Sequence, residues 1–129
     1  MADYTFDHIH LFTRDPEGTA AWYEKMLGAE VVRTMQGGKP RLDLKLGGGN
    51  IFILDVSGDP KAAEGPGHPH RGLDHFGLSV KGIDAVCADL KAKGVKFTRE
   101  PDTIRPGIRI AFIEGPDGVS IEILERWAV

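Results

Sequence analysis

Asp7-His8-Ile9-His10-Leu11-Phe12-Thr13-Arg14-Asp15-Pro16-Glu17 decides how this chain folds, because its order of signals returns in the second half. From Phe6 to Phe12, Ile9 and Leu11 share one parity while His8 and His10 share the other, the period of a strand. Asp15-Pro16-Glu17 then opens a helix: Asp15 can cap it, Pro16 suits the first turn, and Glu17 favours the helix dipole. Ala20, Tyr23 and Leu27 give that helix an apolar stripe, and Gly28 ends it. Three strand-like runs follow at 30–34, 41–46 and 51–56, divided by Gly37-Gly38 and Gly47-Gly48-Gly49.

Working outward, 73–80 reads as a strand, and 83–93 as a helix with Ile83, Val86, Cys87 and Leu90 on one face, closed by Gly94. Strands are predicted at 95–99, 108–113 and 119–124, with Asp117-Gly118 as a hairpin turn. The chain therefore reads as α+β, two β-α-β-β-β modules at about 4–57 and 72–126, within one domain. The Gly-, Pro- and His-rich stretch 58–71 is the natural linker.

Bulk composition removes several classes of function. A formal charge of −3 leaves no basic footprint for nucleic acid. No apolar run is long enough to span a membrane. Met1-Ala2-Asp3-Tyr4 does not begin a basic-then-apolar leader, and the single cysteine, Cys87, reads as a small buried side chain, so the cytoplasm is the expected compartment.

Asp7-His8-Ile9-His10-Leu11, Asp15, Trp22-Tyr23, Leu27-Gly28, Leu73-Asp74-His75-Phe76-Gly77-Leu78 and Gly115-Pro116-Asp117-Gly118-Val119-Ser120-Ile121-Glu122 together resemble the vicinal oxygen chelate superfamily. That group includes glyoxalase I, bleomycin-resistance proteins, fosfomycin-resistance enzymes, methylmalonyl-CoA epimerase and extradiol dioxygenases. The resemblance implies a curved mixed sheet around a metal-binding cleft, with ligands from the first and last strands of the modules. Matched residue by residue, it implies that His8, His75 and Glu122 hold one divalent cation. Strand parity agrees: Ile9 and Leu11 oppose His8, Phe76 and Leu78 oppose His75, and Ile121 and Ile123 oppose Glu122. Two imidazoles and a carboxylate leave coordination positions open; Fe2+ is the favoured ion, with Mn2+, Zn2+ or Ni2+ also suited.

Glyoxalase I and the epimerase carry a fourth acidic or amide ligand in the last strand of the first module. Aligning Gly49 on Gly118 sets Ile53 at that place, and a shift of one sets Phe52 or Leu54 there; none of these binds metal. Asp55 substitutes only after a register change. The remaining three-ligand set is more similar to extradiol dioxygenases, so cleavage of a catechol-like ring is the leading expectation. Lyase or isomerase chemistry on an α-hydroxycarbonyl or thioester is the alternative, and a metal-free drug-binding module is a third. His10 is the candidate acid or base beside His8, and Arg41 and Arg109 are candidate contacts to a small anionic substrate. His68 and His70 imitate a ligand pair, but a flexible linker holds metal poorly, so they are expected to cover the cavity mouth. Short members of this group resemble homodimers, and a homodimer is expected here.

Overall fold

Eight strands and two α-helices follow one another in the computed structural model, which describes residues 2–129, in the order β-α-β-β-β twice over. The first unit, up to Ala63, contains β1 (His8–Thr13), α1 (Pro16–Leu27), β2 (Glu30–Gln36), β3 (Lys39–Leu46) and β4 (Gly49–Asp55). The second, from Glu64, contains β5 (His75–Ser79), α2 (Ile83–Ala92), β6 (Lys96–Arg105), β7 (Ile108–Glu114) and β8 (Ser120–Arg126). Each unit forms a four-stranded mixed sheet, ordered β1-β4-β3-β2 and β5-β8-β7-β6. In each, the first and last strands run parallel and the other neighbours antiparallel. The parallel pairing brings the first strand of each module beside its last, which is what places candidate site residues together.

Local chemistry explains the boundaries. Asp15 caps α1, its carboxylate accepting the Gly18 amide at 2.9 Å, and Gly28 ends the helix in the left-handed conformation. The hairpins at Gly37-Gly38 and Gly47-Gly48 have positive φ at both central residues, the shape of a type I′ turn and costly for a side chain there. Gly49 therefore belongs to β4 rather than to the turn. The longest departure from the expected strands is β6, which runs on to Arg105 through several register shifts.

Alternation decides which face is buried. In the first unit Tyr23, Leu42, Leu44, Ile51 and Ile53 are buried between α1 and the sheet. In the second unit Ile83, Cys87, Leu90, Ile113, Ile121 and Ile123 are buried. Each such aliphatic side chain contributes about 1.5–3 kcal/mol. Cys87 is 2% exposed, and burial raises its thiol pKa, so it behaves as core. No helix among the described residues is long and apolar enough to cross a membrane.

Candidate metal centre

The opposite face of each sheet carries the candidate site residues, in the second unit beside a small apolar cluster of Ile108, Ile110, Leu124 and Phe112. In the second unit, His75 and Glu122 meet there: His75 Nε2 lies 3.3 Å from Glu122 Oε2. Two ligands each about 2.0–2.1 Å from one cation at a tetrahedral angle stand about 3.3 Å apart, so this spacing already fits a shared ion. Gly77 is paired with Glu122 across the ladder; a Cβ there would meet Leu124 Cδ2 at 3.1 Å, so the glycine lets that side chain pack close beside Glu122.

The orientation of His75 is set by its neighbour. Asp74 Oδ2 lies 2.8 Å from His75 Nδ1, and its Oδ1 lies 2.7 Å from His68 Nδ1. Hydrogen bonds from His75 and then His68 hold the Asp74 carboxyl below the usual carboxylate range. An ionised carboxylate only accepts, so Nδ1 of His75 carries the hydrogen on that side and the ring is turned with Nε2 toward Glu122. Phe112 packs its ring against His75, with centroids 4.8 Å apart. Beside this pair is a cleft of about 240 Å³ lined in part by His68, Asp74, Phe112, Glu114 and Ser120.

The first unit repeats half of this design. Asp7 Oδ2 lies 2.7 Å from His8 Nδ1, which leaves Nε2 as the ring nitrogen that Asp7 does not engage. His8 pairs with Asn50 as His75 pairs with Ser120, and His10 pairs with Phe52 as Gly77 pairs with Glu122. Phe52 thus occupies the place equivalent to Glu122, and the glycine-based alignment with Ile53 is off by one residue. Ile53 is buried toward α1, whereas the Phe52 ring stacks on His8 with centroids 4.1 Å apart. Asp55 accepts the amide of Ser57 instead.

Of the other candidates, His10 shares this face, its ring edge-on to Phe52 and 6.0 Å from that of His8. Arg41 also lies here: its guanidinium is 4.9 Å from the Phe52 centroid and is paired with Asp43 at 3.0 Å and Gln36 at 2.8 Å. Arg109 does not join the His75–Glu122 group. It occupies the other face of β7 from Phe112 and donates to Asp84 of α2 at 2.9 Å and to Thr103 at 3.2 Å. Asp7 and Asp74 are the residues that sequence reasoning passed over. The signal was present as the same Asp-His pair opening both modules.

The chain belongs to the Glyoxalase/Bleomycin resistance protein/Dioxygenase superfamily, whose model matches residues 5–123. Within that class it is similar to the probable lactoylglutathione lyase of Vibrio cholerae, at 40% identity over 98% of this chain and 94% of that one. It is also similar to the lactoylglutathione lyase of Haemophilus influenzae, at 28% identity over 92% and 90%. Against the probable chloroplastic lactoylglutathione lyase of Arabidopsis thaliana it is 46% identical, but over 43% of this chain and 16% of that one. The chain thus spans well under half of that larger relative. Among solved structures, a glyoxalase family protein from Enterococcus faecalis superposes with a TM-score of 0.71 at 28% identity, covering 94% and 97% of the two chains. An antibiotic binding protein from a Streptomyces species shares the fold at a TM-score of 0.74 and 22% identity, covering 98% and 99%.

Proposed function

We propose that this protein is a metal-dependent lyase or isomerase of the lactoylglutathione lyase kind, acting on a small carbonyl compound with adjacent oxygens. The carrying observation is the His75–Glu122 pair at ligand spacing, with Asp74 fixing the imidazole so that Nε2 faces the carboxylate. His8, whose ring Asp7 holds in the same way, is the residue this reading takes as the third donor. Whether it comes from the same chain or from a second copy in a homodimer is answered by mixing variants, since a His8→Ala and a Glu122→Ala protein regain activity together only in the second case.

A bound divalent ion would supply Lewis acidity toward the substrate oxygens. The remaining work falls to the chain. Glu122, one-fifth exposed, is placed to take a proton from substrate carbon and return it to the neighbouring one. His10, on the face that carries His8, is the second candidate to hold that proton. Phe52 packs beside His8 and Phe112 beside His75, giving each histidine one apolar neighbour. Arg41 lies over the Phe52 ring in an ion pair with Asp43, and an anionic substituent would compete with Asp43 for its guanidinium. Proton transfer of this kind needs no redox-active ion, so Zn2+ and Ni2+ suit this reading as well as Fe2+.

The similarity to lactoylglutathione lyases supports this lyase reading over the dioxygenase expected from the ligand count. Dioxygenase chemistry stays as the second reading because Phe52 leaves three donors rather than four. Tag-free protein loaded with Zn2+, Ni2+ or, without air, Fe2+ separates them: the proposal expects turnover of a hemithioacetal of methylglyoxal and a thiol. Oxygen-dependent ring cleavage of a catechol with no such turnover would overturn it. Glu122→Ala should lower turnover by roughly 10²–10⁴-fold, the range for a lost general base, and both His75→Ala and Glu122→Ala should reduce bound metal. Intact metal content in His75→Ala, Glu122→Ala and His8→Ala alike would remove the centre altogether.

A further inference from the structure

The linker contains a second group of donors. One ligand atom from each of His68, His70 and Asp74 lies within 4.8 Å of the other two. The sequence showed only the two histidines; the fold supplies the carboxylate, because the loop turns back and sets His68 Nδ1 2.7 Å from Asp74 Oδ1. His70 Nδ1 lies 2.9 Å from the Arg71 carbonyl oxygen, and the two imidazole centroids are 5.4 Å apart. A carbonyl oxygen and an ionised carboxylate only accept, so both Nδ1 atoms donate, which leaves the Nε2 side of each ring outside these two hydrogen bonds.

We propose that His68, His70 and Asp74 form a second cation site that takes a first-row divalent ion with affinity for imidazole, such as Zn2+, Ni2+ or Cu2+. Two imidazoles and one carboxylate are a sufficient protein donor set, with water completing the shell. Bringing the donors from 4.8 Å to ligand spacing requires the loop to close by about 1–2 Å, within the reach of side-chain rotation. Asp74 can serve both places: its Oδ2 remains on His75 while its Oδ1 turns to the loop ion. The site would have a structural consequence, because His68, Pro69 and Asp74 form one wall of the 240 Å³ cleft. An ion here would replace a solvent-exposed hydrogen bond with a cross-link and fix that wall beside His75.

The test uses the tag-free full chain, stripped of metal, desalted and dialysed against Zn2+, with bound zinc measured by elemental analysis. Two ions per chain are expected, falling to one in His70→Ala and in His68→Ala. His70 is the cleaner variant, since it does not touch Asp74 or His75 through any bond described above. Glu122→Ala should also bind one ion, and Glu122→Ala combined with His70→Ala should bind none. Hydrogen exchange gives an independent readout: Zn2+ should slow amide exchange across 67–74 in the wild type and in Glu122→Ala, but not in His70→Ala. A wild type that binds one ion, lost in Glu122→Ala and kept in His70→Ala, would overturn the loop site and leave the main centre standing. One ion lost in His70→Ala but kept in Glu122→Ala would do the reverse.

Discussion

The two modules share strand order, pairing and an Asp-His opening, yet one cross-strand pair differs in a way that alters the chemistry. In the second, Phe112 of β7 faces Glu122 of β8; in the first, Asp43 of β3 faces Phe52 of β4. Acid and aromatic have changed places across the ladder. On β8 the acid stands next to the strand that bears the histidine, and it reaches Nε2 of His75. On β3 it is one strand farther away, and Asp43 instead pairs with Arg41 while Phe52 stacks on His8. One scaffold therefore holds a complete donor pair in one half and a single walled histidine in the other. Position in the ladder, rather than composition, decides which carboxylate stands at ligand spacing from a histidine.

The comparison can be broken most strongly at the aspartates. Asp74→Asn and Asp7→Asn should each weaken metal binding by about 10–100-fold, the effect of losing a carboxylate behind a ligating histidine, as measured by competition with a chromophoric chelator. A silent Asp7→Asn beside a damaging Asp74→Asn would mean that His8 is not a ligand and that the modules differ more than their shared opening suggests.

Phe52→Glu sharpens the comparison by giving the first module the acid of the second. It should tighten metal binding by about tenfold, corresponding to ~1.4 kcal/mol, and raise hemithioacetal turnover relative to any catechol activity. Equal or weaker metal binding in a folded variant would separate the ladder equivalence of Phe52 and Glu122 from ligand function.

A smaller difference concerns the helix caps. α1 is capped by Asp15 three residues before its bonded amide, whereas Gly82 gives α2 no side-chain cap. Glu125 of β8 does that work, accepting the Ile83 and Gly82 amides at 3.0 Å each. Asp15→Ala should cost about 1 kcal/mol, read from urea unfolding. Glu125→Ala should lower the thermal midpoint in a pH-dependent way. The Ile83 amide, then that of Gly82, holds the Glu125 carboxyl below its ordinary value of 4.5, so its stabilisation is complete above that pH and is lost as pH falls through the lower folded value. Wild type and variant should therefore converge in acid; a difference that persisted unchanged there would exclude capping as its source.

Much of this was legible in the chain. Period-2 runs, Asp15-Pro16 and the paired glycines specified the order of elements because each acts on its immediate neighbours. The family resemblance then singled out His8, His75 and Glu122. The counterpart of Glu122 was read one residue late because the glycines before β4 and β8 are not equivalent. Gly49 is already in β4 after a two-residue turn, while Gly118 lies inside the turn that precedes β8. A one-residue slip moves a side chain to the other face of a sheet. Arg41 and Arg109 looked interchangeable for a related reason: only the structure shows Arg41 beside Phe52 and Arg109 bonded to α2.

By itself, then, the sequence determined two β-α-β-β-β modules, the Asp15 cap, the glycine turns and the histidines that open each sheet, all consequences of short-range periodicity and backbone preference. Tertiary structure alone decided that Asp74 ties His68 to His75, that Glu122 stands at ligand distance, that Phe52 closes the matching place, and that Glu125 caps a helix far from it in the chain. These depend on the register between strands and on where a loop returns, and distance along the chain carries little information about either.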